Sequence, residues 1–588
     1  MFAEIQKIFT KNDINNDTPI NKHVFKLPIS YLESCNQCEI SNILCNDLEL
    51  ADVNKDNIDK NVSMYEYLLQ PTNVLGKRLI NKWKLQYTNN IDHLKDTQNI
   101  ILNFNNYKNK MNNLEQPNYD NIISIWNSIK DDKFFIEKYN YIDWKMLEHL
   151  NHSSKFLFVL SVINLLSPII SLLIPIILLI FPFVLLKFQG VHITFSTYFN
   201  TLKLLAKNHF VGKMLSNIES LSVQNLLYIF IMFAFYVFQI YQNIIMCIRF
   251  YKNINKINDD LIKIKQYILY SIQSMDTFID YNNSLITYSP FFQDIILHKN
   301  QLQNLLNEIN NITKFNLFTK FNNMGYLLKS YYCLYSNIQY EISLNYSLDF
   351  EGYVDNINGL YNHHINKHIS IALFNTTDHY EFKKQYYPPL INDNPVKNDY
   401  KLNKNMIISS PNKGGKSTIL KTTAINIIFT QQFGMGFYNY ASISPFTYIH
   451  SYINIPDTSG RDSLFQAESR RCKEIIDNIC NHKNDRHFCI FDELYSGTNP
   501  TEATLAGIAF LKYLESFKNV KFILTTHYLS ICKKFKKSKL IQNYKMDVSI
   551  VNDKLIYKYK LKKGISNIKG GIHVLKDLDY PKEITNNI

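Results

Sequence analysis

The chain has 588 residues, 46% of them hydrophobic and 14% aromatic, which excludes a protein too short or too polar to bury substantial cores. The formal net charge of +13 comes mostly from lysine and could attract nucleic acid or anionic lipid. Asn, Ile, Lys and Tyr abound throughout, as an AT-rich genome would produce, so the charge is weak evidence for either partner.

Residues 1–60 form an N-terminal segment of unknown fold. Its first residues, MFAEIQKIFTKND, lack the apolar core of a signal peptide. Cys35 and Cys38 have the spacing of half a zinc or redox site, but no second pair follows at metal-ligand spacing. We therefore expect reduced thiols in a protein that faces the cytosol.

Two charge-free apolar runs stand out in residues 151–250. They cover 156–186 and 220–248, and each exceeds the roughly 20 apolar residues that span a bilayer. A single run could be a buried soluble helix, but two so close together favour a membrane region. The first run has a proline every seven residues, which predicts a bent span or a re-entrant hairpin: Pro168, Pro175 and Pro182.

Beyond the second run, apolar residues recur three and four positions apart from Ile254 to Ile279. This spacing predicts a long amphipathic helix, and a second helix is predicted near Leu302–Phe318.

The stretch MIISSPNKGGKSTILKTTAINIIFTQQFG, residues 406–434, predicts a buried strand, a glycine-rich turn and a helix that ends at Phe433. A helix N-terminus with two glycines before it favours bound phosphate. Lys416 would reach the β- and γ-phosphates, and the Ser417 hydroxyl would bind Mg²⁺. One departure is that Ser410 stands where the pattern G-x-x-x-x-G-K-[ST] has its first glycine.

Two more buried strands end in polar residues. HFCIFDEL, residues 487–494, ends with Asp492, which fits a metal-holding acid, and Glu493, which fits a base that orients the attacking water. VKFILTTHY, residues 520–528, places His527 at its tip, where an imidazole could sense a γ-phosphate or steady the water. The order and spacing predict that all three strand ends meet at one nucleotide.

These residues carry a family resemblance. SPNKGGKST, SLFQAE (463–468), FDELYSGTNPTEA (491–503) and TTHY (525–528) resemble the ATPase domain of the MutS mismatch-repair family, which is of the ABC class. The likeness extends over residues 386–588. It implies an α/β P-loop ABC-class ATPase domain at the C-terminus, with ATP and Mg²⁺ as cofactors.

The resemblance also implies site residues. Ser463 would contact the γ-phosphate bound by the opposite subunit, so a homodimer with two composite sites is implied, and Asp462 beside it is a second departure. Gln432 matches the family's glutamine after the first helix. Ser417 and Asp492 would hold the metal, with Glu493 and His527 catalytic. The nucleotide would be held by Ser410, Pro411, Asn412, Lys413, Gly414, Gly415, Lys416, Ser417, Thr418 and Ser463.

Upstream segments also resemble the family. TNVLGKRLINKW (72–83) and LKDTQNII (94–101) are similar to the start of the MutS core, which implies a mostly α-helical core-like region over 61–150. The helices within 251–385 resemble the levers that join this core to the ATPase. In MutS the DNA clamp lies between the levers, and here transmembrane helices interrupt the helical region at that place.

We also find no counterpart of the family's mismatch reader in this sequence. Family readers insert Phe-x-Glu from an N-terminal domain, whereas Phe2-Ala3-Glu4 lies at the terminus and Phe135-Ile136-Glu137 precedes the membrane run. We interpret both triplets as coincidence.

The sequence therefore predicts an integral membrane protein with a MutS-like ATPase facing the cytosol, related by family to DNA mismatch repair and DNA binding but without reader and clamp. DNA would bind, if at all, through non-specific backbone contacts. The alternative is a nucleotide-switched tether or remodelling protein of the lipid bilayer without DNA function. An ABC transporter is disfavoured because the spans are few and no Leu-Ser-Gly-Gly-Gln motif occurs.

Overall fold

The computed structural model describes residues 25–52, 62–190, 194–199, 223–312, 319–453, 455, 463–551, 554–568 and 580. These residues divide into two compact units, each built from separate stretches of the chain. The first unit takes the described parts of Met1–Glu115, Ser271–Lys299 and Leu344–Ile588, and the second takes those of Gln116–Tyr270 and Asn300–Ser343.

The strands belong to the first unit, and helices occur in both. The strands are β1 (Gln37–Glu39), β2 (Gln86–Thr88), β3 (Ser370–Phe374), β4 (Glu381–Gln385), β5 (Asn398–Lys401), β6 (Asn405–Ser409), β7 (Met435–Gly436), β8 (Tyr440–Ile443), β9 (Tyr448–Tyr452), β10 (His487–Asp492), β11 (Val520–Thr526), β12 (Ile541–Val551) and β13 (Lys554–Lys563). The α-helices are α1 (Asn42–Asp47), α2 (Met64–Leu69), α3 (Val74–Trp83), α4 (Ile91–Met111), α5 (Tyr119–Lys130), α6 (Phe135–Lys138), α7 (Ser154–Phe188), α8 (Val223–Asn282), α9 (Ser289–Ile309), α10 (Thr319–Ser336), α11 (Ile338–Ile365), α12 (Lys416–Phe433), α13 (Leu464–Asn481), α14 (Pro500–Glu515) and α15 (Leu529–Lys534).

The main sheet has six strands in the order β13-β12-β6-β11-β10-β9. All neighbours run parallel except β12 and β13, which are antiparallel. Parallel sheets are covered on both faces, so their strands are continuously apolar. The strand β6 is buried along its whole length, which confirms the predicted buried strand. A second sheet has the order β5-β4-β8-β3-β7, and β1 pairs with β2 in a separate ribbon.

The open side of the edge strand β9 is covered by side chains from other segments of the first unit. The Tyr87 hydroxyl donates to the Thr447 carbonyl at 2.9 Å. Arg471 Nε donates to the Ser451 carbonyl at 2.9 Å, and the Ser451 hydroxyl donates to Asp47 Oδ2 at 2.6 Å. Such cover satisfies polar groups that an exposed sheet edge would offer to another chain.

The two apolar runs form helices that run antiparallel. The Tyr236 hydroxyl of α8 donates to the Leu172 carbonyl of α7 at 3.2 Å, and Cys247 Sγ lies 3.5 Å from the Leu165 carbonyl oxygen. As the residue number rises on α8, it falls on α7, which fixes the antiparallel sense. We call α7 and α8 the apolar helix pair.

Two helical segments of the described chain are long and apolar enough to cross a membrane by length and composition, Ser154–Ile174 and Phe233–Asn282. Only 17% and 6% of their most apolar windows are buried. The helix α7 runs unbroken through all three prolines, so the predicted re-entrant hairpin within the first run is wrong. In α8 the second run and the predicted amphipathic helix form one continuous helix of 60 residues.

The helix predicted near Leu302–Phe318 corresponds to α9, which begins earlier and ends at Ile309. Residues 313–318 lie outside the described part of the chain.

Candidate functional site

The three predicted strand ends meet at one edge of the main sheet. Because β6, β11 and β10 are adjacent and parallel, their carboxyl ends lie side by side. In the register, Thr526 pairs with Ser409 and Asp492 pairs with Thr525. The strand β10 ends two residues earlier than predicted, because Glu493 adopts a left-handed φ of 55°. The predicted adjacency of the three strand ends is confirmed, and the nucleotide between them stays a prediction. We call Lys416, Asp492, Glu493 and His527 the strand-end site.

The loop between β6 and α12 places its backbone close to its own side chains. Gly415 has a φ of +88°, a conformation that favours glycine. A Cβ on Gly414 would lie 1.8 Å from the Ser410 hydroxyl oxygen. Ser410 is buried and its hydroxyl donates to the Pro411 carbonyl at 3.1 Å. The departure at Ser410 is thus accommodated by packing against a glycine that has no side chain.

The helix α12 begins without a side-chain cap, since its N-cap residue is Gly415. The other long helices flanking the sheet differ, because Ser463 caps α13 and Asn499 caps α14. The first backbone N–H groups of an uncapped helix remain available to an anion. Around this end, Asn412, Lys413 and Thr418 are exposed, Ser417 is half-buried and Pro411 is buried. The helix ends at Phe433 before Gly434, as predicted.

Three side chains of the strand-end site are in contact. His527 Nε2 lies 2.9 Å from Lys416 Nζ and 3.0 Å from Glu493 Oε1. A single ring nitrogen either accepts from the lysine or donates to the carboxylate, so the two contacts compete. Lys416 Nζ also donates to the Ser410 carbonyl at 3.3 Å and lies 3.9 Å from Glu493 Oε1.

The charges of this cluster depend on one another. Lys416 has a side chain only 6% exposed, and burial lowers its pKa, while the Glu493 and Asp492 carboxylates act to raise it. The hydrogen bond from His527 lowers the pKa of Glu493, and the charge of Lys416 adds to that effect. The Glu493 carboxylate is therefore held ionised at neutral pH, as a base for water requires.

Oxygen ligands for a hard cation are also present. Asp492 accepts a hydrogen bond from the Thr525 hydroxyl, which holds the carboxylate at the strand end. Ser417 follows Lys416 in the first turn of α12. A carboxylate, a hydroxyl and substrate oxygens are the donors that Mg²⁺ prefers. Among the described residues, no three His, Cys, Asp or Glu side chains group as metal ligands, and burial raises the pKa of the Cys38 thiol to about 12.

Ser463 lies at the start of α13 and not in the cluster. Its hydroxyl accepts from the Gln466 N–H at 3.3 Å, and Gln466 Oε1 accepts from the Ser463 N–H at 2.9 Å. Within the described ranges, Ser463 makes no hydrogen bond to the strand-end site of the same chain. Asp462 lies outside the described residues. The roles of the site residues thus stay predictions, with Ser463 assigned to a partner's site.

Gln432 lies inside α12 rather than after it. Its amide nitrogen donates to the Trp83 and Gln86 carbonyls at 2.7 Å each, and its oxygen accepts from the Tyr65 hydroxyl at 2.9 Å. The side chain is buried and fully occupied by these bonds. Gln432 therefore ties the N-terminal residues to α12.

Sequence reasoning missed a cavity beside the loop. It has a volume of about 330 Å³, and its lining includes Tyr386, Leu390, Val396, Gly415, Ile419 and Tyr559. These residues come from separate segments, and Tyr559 lies in a lysine-rich strand, so no local pattern indicated them. The buried Glu468 was also missed, although it is the last residue of the SLFQAE segment.

Residues 406–588 match the family model of MutS domain V. Curated relatives named DNA mismatch repair protein MutS also match this chain. The protein of Persephonella marina is 30% identical over 203 residues, which is 33% of this chain and 23% of that protein. The protein of Bacteroides fragilis is 31% identical over 182 residues, 30% of this chain and 21% of that protein.

A longer match, to the protein of Fusobacterium nucleatum, is 24% identical over 275 residues, 42% of this chain and 30% of that protein. The matches thus span less than a third of the length of these relatives. The family model begins in β6 and includes the loop, both carboxylates and His527 of the strand-end site. Residues 406–588 therefore resemble MutS domain V, and the chain is related to the MutS family through this C-terminal domain.

Proposed function

We propose that this protein binds and hydrolyses ATP with Mg²⁺ as a dimer that is anchored in a membrane. The observation that carries the ATPase is the contact between Lys416, His527 and Glu493 at the carboxyl ends of adjacent parallel strands. Phosphoryl transfer needs positioning and charge neutralisation more than covalent chemistry. At the strand-end site, Lys416 and the uncapped start of α12 would neutralise charge, and Glu493 would position the water.

The phosphates of ATP would lie at the start of α12. Its free N–H groups and the Lys416 ammonium would hold them, since both favour negative charge. The adjacent cavity of about 330 Å³ has aromatic and aliphatic walls, including Tyr386 and Tyr559, and suits a nucleoside. Gly415 lines this cavity and is also the N-cap of α12. The nucleobase and the phosphates of ATP would therefore lie on either side of Gly415.

Ser417 and Asp492 would hold Mg²⁺. When bound, the metal neutralises charge on the phosphate oxygens. The hydrogen bond from Thr525 keeps the Asp492 carboxylate at the strand end for this role.

Glu493 would orient the attacking water and take its proton. Its carboxylate is held ionised by the His527 hydrogen bond and by Lys416. When Lys416 turns to the phosphates, His527 Nε2 is free to donate to Glu493 alone, because the two contacts compete for one nitrogen. Binding of ATP would thus align the base through the histidine.

The position of Ser463 supports the dimer. In α13 the Ser463 hydroxyl accepts from the Gln466 N–H, and an anion would compete for this hydroxyl and for the remaining N–H groups of the first turn. Among the described residues Ser463 has no hydrogen bond to its own strand-end site. The γ-phosphate of the ATP bound by the partner subunit would contact this serine and complete the composite site. Mixing Lys416→Ala chains with Ser463→Arg chains should leave one intact composite site per heterodimer and restore part of the activity. A verified heterodimer without activity would contradict the shared site.

Membrane anchoring is supported by the exposure of the apolar helix pair. A core helix of a soluble protein is mostly buried, whereas 17% and 6% of the windows are buried here. Two antiparallel crossings would leave the segments before and after the apolar helix pair on the same side of the membrane. Because ATP is found in the cytosol, that side would be the cytosolic one. This anchoring also favours the second candidate function, a nucleotide-switched tether or remodelling protein without DNA function.

The family relation points to DNA mismatch repair, but in our proposal the apolar helix pair takes the place of the clamp of the family. Any DNA binding would be electrostatic contact with the phosphate backbone through exposed lysines.

The direct test of the ATPase is the rate of Mg-ATP hydrolysis by the detergent-purified full chain, with and without duplex DNA. We expect hydrolysis that Lys416→Ala abolishes and that Lys421→Ala, on another face of the same helix, leaves intact. A Lys416→Ala chain that hydrolyses ATP at the rate of the unchanged chain would refute the site. Stimulation by DNA would favour the repair-related function over the tether.

A further inference from the structure

Helix α13 carries a buried carboxylate that the proposed chemistry does not use. Glu468 is 2% exposed and lies in the second turn of α13, five residues after Ser463. Its Oε1 accepts from the Ser496 hydroxyl at 2.9 Å, and its Oε2 accepts from the Gly497 N–H at 3.1 Å. A buried charge is retained only where it is paired or hydrogen-bonded. Both partners belong to the loop that follows Glu493.

The same loop also touches the start of α13 through its backbone. A Cβ on Gly497 would lie 2.7 Å from Leu464 Cγ and 2.9 Å from the Phe465 backbone nitrogen. Only a glycine allows this approach without displacing the helix. The first turn of α13 and the loop after β10 therefore fit against each other over several atoms.

A third contact joins this loop to the sheet. The Tyr452 hydroxyl at the end of β9 accepts from the Tyr495 N–H at 3.1 Å. Burial and the nearby Glu468 carboxylate raise the pKa of Tyr452, so the phenol stays protonated. Glu468, Tyr452 and the loop thus form one polar network, in which Glu468 and Tyr452 are buried and Ser496 is exposed.

The backbone beside Glu493 needs such support. Glu493 and Tyr495 both have left-handed φ angles, 55° and 58°, which non-glycine residues rarely adopt. Strained backbone persists only where its surroundings hold it. The Glu493 N–H donates to the Thr525 carbonyl at 3.1 Å. The following residues of the loop are held by the hydrogen bonds described above, which Tyr452 and Glu468 accept. The position of Glu493 therefore depends on this network.

We propose that Glu468 is a positioning residue that couples the start of α13 to Glu493. A displacement of the Ser463 turn would move Glu468, and through Ser496 and Gly497 it would move the strained segment that carries Glu493. The inference rests on the proposed function, in which Ser463 meets the partner's nucleotide and Glu493 orients water. It makes occupancy of one composite site a control on hydrolysis in the other.

A merely structural role for Glu468 makes different predictions. Loss of a structural bond would lower the thermal stability and the affinity for ATP together with the rate. Loss of positioning lowers kcat and leaves the affinity for ATP nearly unchanged, because most of the groups proposed to hold the phosphates lie in the loop before α12 and in its first turn. A positioning residue also loses its effect once Glu493 itself is removed.

The test uses the detergent-purified full chain with Glu468→Ala, Ser496→Ala and, as a control, Asp477→Asn. Asp477 is an exposed carboxylate on α13 that pairs with Lys473, far along the helix from the loop. Kinetics of Mg-ATP hydrolysis, titration with a fluorescent ATP analogue and thermal unfolding are measured for each. We expect kcat to fall at least about tenfold for Glu468→Ala and about threefold for Ser496→Ala, with affinity within about twofold. Asp477→Asn should match the unchanged chain.

A single-turnover comparison adds the decisive control. In a Glu493→Gln background, Glu468→Ala should cause no further loss of rate. An unchanged kcat in the single variants, a parallel loss of affinity, or full additivity with Glu493→Gln would overturn the inference. If Glu468→Ala does not fold, Ser496→Ala decides alone, because its side chain is exposed and its loss leaves the Gly497 bond in place.

The proposed function fails by a different result. A purified chain without Mg-ATP hydrolysis, or a Glu493→Gln chain at the full rate, would remove the base itself. Hydrolysis that depends on Glu493 but not on Glu468 would reject the coupling and leave the ATPase.

Discussion

At the strand-end site each polar side chain has a polar partner, whereas in the apolar helix pair large apolar side chains are exposed. Lys416 is buried beside Glu493 and His527, while Phe233 and Phe238 on α8 face away from the protein. The first arrangement is stable in water because burial of charge is compensated by hydrogen bonds. No described residue covers the exposed apolar side chains of the second arrangement, and an exposed apolar patch of this kind marks a surface that contacts another apolar phase or partner. This contrast between the two regions is the basis of the proposed membrane anchoring.

The largest expected effect tests the apolar helix pair. Removing residues 151–250 takes out both apolar runs, so the shortened chain should lose its membrane attachment completely. The measurement is alkaline carbonate washing of membranes, followed by detection of the protein in pellet and supernatant. The full chain should stay in the pellet and the shortened chain should not. Full-length protein in the supernatant would show that the exposed apolar surface has a protein partner instead.

The next largest effect tests the strand-end site. Glu493→Gln keeps the size of the side chain and removes the base, so hydrolysis should fall at least about 100-fold while ATP binding is kept. Rates of Mg-ATP hydrolysis and titration with a fluorescent ATP analogue separate the two. Because the pKa of Glu493 is lowered, the carboxylate of the unchanged chain stays ionised as pH falls to the ordinary range of glutamate. The rate should therefore decline only below that range.

A smaller effect is expected from changing the packing of the loop between β6 and α12. Gly414→Ala would place a Cβ 1.8 Å from the Ser410 hydroxyl oxygen, and we expect ATP affinity to fall about tenfold as the loop shifts. Ser410→Gly in the same chain removes the obstructing hydroxyl and should restore most of the affinity. Gly507→Ala in α14 is the control, because its Cβ would meet only Ile531 Cδ1 at 3.1 Å. No rescue by Ser410→Gly would mean that Gly414 is needed for another reason.

The smallest expected effect concerns DNA. We predict that this chain lacks a mismatch reader and binds DNA through the phosphate backbone, and such contacts do not distinguish a mismatched duplex from a perfect one. We predict a preference of less than about threefold, which is under about 1 kcal/mol. Competition binding of both duplexes at near-physiological salt measures it, and raising the salt should weaken both equally. A preference of about tenfold or more would instead require a wedge that kinks the duplex, with Phe2 and Phe135 as the first residues to replace.

Local patterns predicted the strand-end site because each of its residues follows a buried strand. The apolar runs before Ser409, Asp492 and Thr526 are continuous, and parallel strands bring their ends together. The network of Glu468 could not be predicted in this way, since its partners Ser496 and Gly497 lie 28 and 29 residues away and no periodicity links them.

Local patterns also failed to predict where the long helices continue and where they end. The prolines of the first run predicted a break, yet α7 continues through Pro168, Pro175 and Pro182, because proline removes one hydrogen bond without forcing the chain to turn back. For α8, two different patterns, one apolar throughout and one amphipathic, lie on a single helix. A change of pattern marks a change of surroundings and not the end of a helix.

The cover of β9 has a consequence for fragments of this protein. A polypeptide of residues 386–588 would keep every residue of the strand-end site, yet it would lack Tyr87, which protects the edge of the sheet at Thr447, and Asp47, which binds Ser451. Gln432 would lose its bonds to Trp83 and Gln86 as well. Such a fragment exposes an open strand edge and leaves a buried amide without partners, so it should self-associate rather than remain monodisperse. We therefore expect the smallest fragment that folds autonomously around the strand-end site to include N-terminal residues that lie more than 300 positions before β6.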